Sequence, residues 1–167
     1  MTVSAPPRPP QRSRRLVMRP LQWLGLVVML LAPLLALVGV FGPATETATA
    51  EGDGIRLVVV YPSLVRYLTI NEVRVRVTNL SGQTASLRLE VDPPYLESFA
   101  ELAMAPGADE FTASVWVFTW QAVPAGETRQ VLISGRAAKP FVHTGWLRAS
   151  AAGHAPASLS ITTLVFP

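Results

Sequence analysis

Two patterns of apolar and polar positions divide the chain. From Leu21 to Phe41 no residue is charged, and Gln22 is the one polar side chain. As a helix, these 21 residues would cover about 31 Å at roughly 1.5 Å per residue, the thickness of a bilayer's hydrocarbon layer. Peptide groups in that layer must bond within their own segment, so the pattern predicts one transmembrane helix over 21–41. From Ile55 the period changes to two. Val73, Val75 and Val77 alternate with Arg74, Arg76 and Thr78; Ala85, Leu87, Leu89 and Val91 alternate with Ser86, Arg88 and Glu90. One face of each strand is therefore apolar and the other polar.

Turn residues Asn79, Ser81 and Gly82 separate those two strands and predict a hairpin, with Arg74 or Arg76 pairing across its outer face with Glu90. Further strands are expected at Ile55–Tyr61, Val115–Trp120, Thr128–Ser134, Trp146–Ala151 and Ser158–Phe166, the last two paired around Gly153-His154-Ala155-Pro156. Asp92-Pro93-Pro94 ends a strand, because proline cannot donate to the ladder. Tyr95–Glu110 reads either as a helical turn or two or as an irregular crossover. Residues 123–127 read as a turn and 137–145 as a loop. The sum is an all-β fold: an antiparallel β-sandwich of about seven strands.

Charge then sets the orientation. The net charge of +3 is unevenly placed. Arg8, Arg12, Arg14, Arg15 and Arg19 precede the apolar stretch with no acid among them, whereas the part after Phe41 carries nine basic and eleven acidic residues. Positive residues stay on the cytoplasmic side of a span. The expected organisation is a basic, Pro/Arg-rich cytoplasmic tail (1–20), a transmembrane helix (21–41), a flexible linker rich in Thr, Ala and Gly (42–54) and an extracytoplasmic domain (55–167). Excess charge beside a span rather than on the domain argues against nucleic acid as the partner. With no cysteine, the exported domain must rest on its core alone.

Within the span, Pro33 predicts a kink, and Ala32 and Ala36 form a small-xxx-small pair that lets another helix approach closely. Trp23 suits the cytoplasmic interface. Ser13-Arg14-Arg15-Leu16-Val17-Met18-Arg19 resembles a twin-arginine export signal, and Ala48-Thr49-Ala50 offers a small-x-small cleavage site. A retained anchor and a signal cleaved near Ala50 are the two alternatives; 21 leucine-rich residues suit the anchor better than the apolar core of a signal, about 7–15 residues long.

Val75-Arg76-Val77-Thr78-Asn79-Leu80-Ser81-Gly82, Pro124-Ala125-Gly126-Glu127 and Gly145-Trp146 together resemble the bacterial Ig-like modules of the CARDB and α-galactosidase-associated type. One residue is inserted before Gly82 relative to their pattern. The resemblance covers about residues 55–166 and implies an Ig-like sandwich used for adhesion, spacing or docking. Fold alone does not settle which.

The domain's two histidines, His143 and His154, fall short of the three or four ligands a copper or zinc site needs. Neither a nucleophile elbow, a zinc-protease motif nor a phosphate loop is present. Asp109-Glu110 reads as a solvated turn, and the sequon Asn79-Leu80-Ser81 as a turn that needs no glycan. No cofactor, metal or small-molecule substrate is expected, and no enzymatic activity. One strand stands out. Trp116, Phe118 and Trp120 share one face while Val115 and Val117 share the other, so either the aromatics are core or they form an outward docking patch. The expectation is an accessory or structural protein of the bacterial plasma membrane, contacting the lipid bilayer and a membrane-protein partner. The alternative is an exported module binding glycan or another ligand, freed near Ala50.

Overall fold

The structure, a computed structural model, describes residues 20–37 and 44–167. The chain divides at Phe41/Gly42 into two units. In the first, Pro20–Leu37 is helix α1, 18 residues with Pro33 inside and no charged side chain. At about 1.5 Å per residue it reaches about 27 Å, short of the roughly 30 Å hydrocarbon core. Among the described residues no helix is long and apolar enough to cross a membrane. The expected 21–41 span is thus met by a helix only through Leu37, and residues 38–41 lie outside the described part. So do Arg8, Arg12, Arg14, Arg15 and Arg19, on which the expected orientation rests.

The second unit is a two-layer β-sandwich, with ten strands among the described residues. They are β1 (Ala44–Gly52), β2 (Ile55–Arg66), β3 (Ile70–Asn79), β4 (Ala85–Val91), β5 (Phe99–Ala105), β6 (Glu110–Phe111), β7 (Trp116–Val123), β8 (Thr128–Ala137), β9 (Phe141–Ala151) and β10 (Ala157–Phe166). A helical turn, α2 (Pro93–Leu96), follows β4. One layer runs β1-β2-β3-β8-β5 and the other β10-β9-β4-β7-β6. They join where Leu164–Phe166 pairs in parallel with Leu64–Arg66. Alternation does what it should: Ile55, Leu57 and Val59, Val73, Val75 and Val77, and Leu87, Leu89 and Val91 all face one core and are essentially inaccessible.

Several expectations are corrected. The flexible linker 42–54 is mostly strand: β1 pairs antiparallel with β2 from Ala44↔Leu64 to Gly52↔Ile55. Its Thr-Ala alternation was legible as period two, but its small residues bury little surface, so composition read as linker. Ala48 and Ala50 pack against the core, and cleavage after Ala50 would remove most of a paired strand. The hairpin expected between β3 and β4 does not form. β3 pairs with β2 and β8, β4 with β7 and β9, and residues 80–84 cross between layers. Consequently Arg74 pairs with Glu72 and Arg88 with Glu90 at 3.0 Å, along single strands, while Arg76 meets Gln130. The 137–145 loop is in part strand, since β9 starts at Phe141. The undecided segment 95–110 holds both α2 and β5, which crosses to pair with β8. The β9–β10 hairpin forms as expected, Ala157↔Ala149 through Val165↔Phe141. Among the described residues the count is ten strands rather than seven because β1 has the small-residue composition of a linker, and β5 and the two-residue β6 carry no strong alternation.

Candidate functional site

Contact surfaces are what this fold offers. The strand singled out from sequence, β7, pairs with β4 on one side and the short β6 on the other. Phe118 is 1% exposed, and Trp116 and Trp120 are half-buried against the same core. The aromatic face of β7 is therefore the inner one, which removes Phe118 from any docking patch. Val117, on the opposite face, is buried as well. What remains outside is Phe111, 57% exposed, whose ring stands edge-on to Trp116 at 5.1 Å. The loop carrying it is held by Asp109, whose carboxylate accepts the Thr119 N–H at 2.6 Å. The Thr112 hydroxyl adds to this, donating to the Val115 carbonyl at 2.9 Å and accepting the Val115 N–H at 3.0 Å. Sequence missed Phe111 because a lone aromatic before a turn has no periodic signal.

On the outer face of β9 and β10, Trp146, Arg148, Ser158, Leu159 and Ser160 line a shallow hollow. The Arg148 guanidinium lies 5.7 Å from the Trp146 ring, a cation–π distance. Ala32 and Ala36 lie on α1, and their side chains are outside the described set. The remaining large side chains of α1 from Trp23 to Leu31 are exposed all round the helix, Leu24 at 63% and Met29 at 78%.

The titratable groups stay scattered. His154 Nδ1 is 3.1 Å from Asp53, tying the β9–β10 turn to the β1–β2 turn, and His143 Nε2 is 2.8 Å from the Lys139 carbonyl. Among the described residues no group of three or more His, Cys, Asp or Glu gathers to hold a metal. The polar groups that are buried are structural. Thr163 donates to the Pro62 carbonyl at 2.6 Å, so Tyr95 must be the donor in its 2.9 Å bond to the Thr163 hydroxyl. Burial raises the Tyr95 phenol to about 12. Burial also raises Tyr61, helped by its bond to the Glu46 carboxylate and that group's charge.

A third surface has no counterpart in the sequence reading. Ala44, Leu64, Leu164 and Val142 lie side by side in register across β1, β2, β10 and β9. Around that row the chain exposes Tyr67, Leu68, Ile70 and Phe141, with Ile70 and Phe141 each 73% accessible. These residues come from four separate segments, so no window of sequence contains them together.

No protein family and no curated protein matches the sequence. Among solved structures the chain is similar to the cohesin module of a Clostridium perfringens family 33 glycoside hydrolase, with a TM-score of 0.44 and 9% identity over 71% of this chain and 98% of that one. It is also similar to a CARDB domain from Pyrococcus furiosus, solved in complex with di-metal ions, with a TM-score of 0.38 and 11% identity over 74% of this chain and 96% of that one. The cupredoxin domain of amoB from Nitrosocaldus yellowstonii aligns with a TM-score of 0.36 and 11% identity, over 73% and 90% of the two chains.

Proposed function

We propose that this chain is a single-pass protein of the bacterial plasma membrane that holds an Ig-like module outside the cytoplasm, where it works by contact rather than catalysis. What supports this reading is the uncharged apolar run from Leu21 to Phe41, of which α1 covers the part through Leu37. A helix apolar around its whole circumference has no solvated face, so it belongs in a protein core or a bilayer; Leu24, Val27, Val28, Met29, Leu30 and Leu31 are all exposed. The apolar sequence itself continues through Val38, Val40 and Phe41, and the five arginines before it favour a cytoplasmic N-terminus. For contact with a membrane-protein partner, the β6–β7 edge with Phe111 on Trp116 is the best-formed aromatic site left outside the core.

The full-length protein should resist carbonate extraction, and a reporter active only outside the cytoplasm should be active when fused after Pro167. Release by carbonate, or activity only from a cytoplasmic reporter, would end the anchor or reverse its orientation. For contact, a stoichiometric partner retained through mild detergent should be loosened by Phe111→Ser with melting unchanged; retention unaltered by that change rules out this edge.

A further inference from the structure

The two ends of the sandwich differ in kind. At the far end lie the turns at 52–54, 80–83, 124–127 and 152–156, tied together by Leu80 N–H to the Gly54 carbonyl, Gly126 N–H to the Asn79 carbonyl, and the His154–Asp53 contact. Each turn places a glycine at positive φ: Gly54, Gly82, Gly126 and Gly153, between 68° and 82°. Glycine is the residue that takes this backbone region without strain. The near end is where β1 begins. There Tyr67 N–H bonds the Phe166 carbonyl and Leu68 N–H the Ala137 carbonyl, and Phe141 pairs with Val165. Two residues at this end also sit at positive φ, but they are Leu68 at 62° and Phe141 at 82°. Both side chains are large, apolar and more than half exposed. A β-carbon in that region costs free energy, and exposed apolar surface recovers none of it inside the fold.

We infer that this near end seats on the lipid bilayer, with Leu68, Ile70, Phe141, Val142 and Leu164 entering the headgroup layer. The inference rests on the anchor reading above. Three observations point to a membrane as the occupant. Six residues separate Leu37 from Ala44, so the chain that leaves α1 enters the sandwich at this end, where β1 begins. The chain joins the sandwich within the apolar row itself, since Ala44 stands beside Leu64, Leu164 and Val142. Charge is complementary: segments 64–70, 136–142 and 164–167 hold Arg66, Arg136 and Lys139 and no acid. Arg136 is paired with Glu101, and Glu97 flanks the end beside Ser98. Arg66 and Lys139 are exposed and make no ion pair among the described residues. Cations with apolar and aromatic tips are what an anionic headgroup layer binds. The contact would fix the tilt of the module, and with it the direction in which the β6–β7 edge looks.

The chain has no cysteine, so single labels can be placed cleanly. Full-length Ile70→Cys, Phe141→Cys and, as a far-end reference, Ala125→Cys carry a fluorophore in vesicles of phosphatidylcholine and phosphatidylglycerol with a headgroup spin-labelled lipid as quencher. Flotation with the vesicles reports the anchor. The labels at 70 and 141 should be quenched several-fold more than the label at 125. Floating protein with equal quenching at all three positions overturns the seating and leaves the anchor standing. Protein that does not float overturns both. Shielding of 70 and 141 in native membranes but not in these protein-free vesicles would assign the surface to a protein and overturn the lipid contact. Leu68→Gly in the Ile70→Cys background should hold or raise the melting temperature while reducing quenching; a lower melting temperature with quenching unchanged would make Leu68 a fold residue and count against the proposal.

Discussion

Asn79 and Tyr95 show how single residues carry this fold. The Asn79 amide donates to the Gln83 and Val123 carbonyls, each at 2.8 Å, and its oxygen accepts from the Ser81 N–H and hydroxyl. Its main chain bonds Gly126 and Glu127. Two of the pieces behind the family resemblance, the Val-x-Val-x-Asn strand end and the Pro-x-Gly-Glu turn, therefore meet here as one structural joint. Asn79 is fully buried, which bars a glycan from the sequon. The third piece is structural too: a β-carbon on Gly145 would lie 2.3 Å from that of Tyr95, so Gly145 is the space Tyr95 occupies. Tyr95 sets a pH limit. Below about pH 10 its phenol is neutral in both folded and unfolded chains, and that contribution is fully present. As pH rises from 10 to about 12 the unfolded phenol ionises and the buried one does not, so stability falls, by about 3 kcal/mol in all. Melting followed from pH 9 upward should show this loss. Tyr95→Phe should flatten the slope, leaving the part due to Tyr61, and lower stability near neutrality by about 1 kcal/mol for the lost hydrogen bond. An unchanged slope would mean that the phenol is not the group responsible.

At the scale of elements, β7 is the clearest test of a reading that sequence left open. Period two placed Trp116, Phe118 and Trp120 on one face correctly, but both faces of the strand are apolar, and alternation alone cannot say which looks inward. Burial in the folded chain decides it: Phe118 is enclosed between the layers, and the two tryptophans, near a sheet edge, are half-covered. Phe118→Ala should cost about 3–5 kcal/mol in denaturant unfolding. Trp120→Ala should cost less, because part of the ring already meets water. Similar losses at both positions would contradict the burial. The β3–β4 connection carries the same lesson. Each strand and its inward face were legible from Val73, Val75 and Val77 and from Leu87, Leu89 and Val91; the pairing was not. Strands facing each other across a core have the same alternation as strands side by side in one sheet.

For the whole molecule, the consequence of β1 is that the folded unit begins at its first residues. Its backbone covers one edge of β2, and Ala48 and Ala50 close the core beneath it. Residues 44–167 without α1 should fold cooperatively to a β-rich domain. A fragment from 51 onward should melt lower and self-associate, because it leaves the edge of β2 unpaired. Equal melting of the two fragments would make β1 dispensable and revive release near Ala50. The elements that place the near-end surface were the least legible of all: Leu68, Phe141 and Leu164 are far apart in sequence, and each alone is an unremarkable apolar residue beside a turn.

By itself the sequence determined the charge-free apolar helix beginning near Leu21, the period-two strands and their inward faces, the closing β9–β10 hairpin, and the absence of cysteine chemistry. All of these are local, following from side-chain periodicity, turn residues and composition within a few positions of one another. Only the tertiary structure decided which strands share a layer, that 44–52 is a strand, that the aromatic face of β7 is core, and that a leucine and a phenylalanine take the positive φ usual for glycine at the end where the chain joins. Those depend on which distant segments pack together. The core rewards any close-packed burial of apolar faces, so the sequence pattern is the same for several arrangements, and the choice is made by long-range contacts such as Asn79 with Val123 and Tyr95 with Gly145 and Thr163.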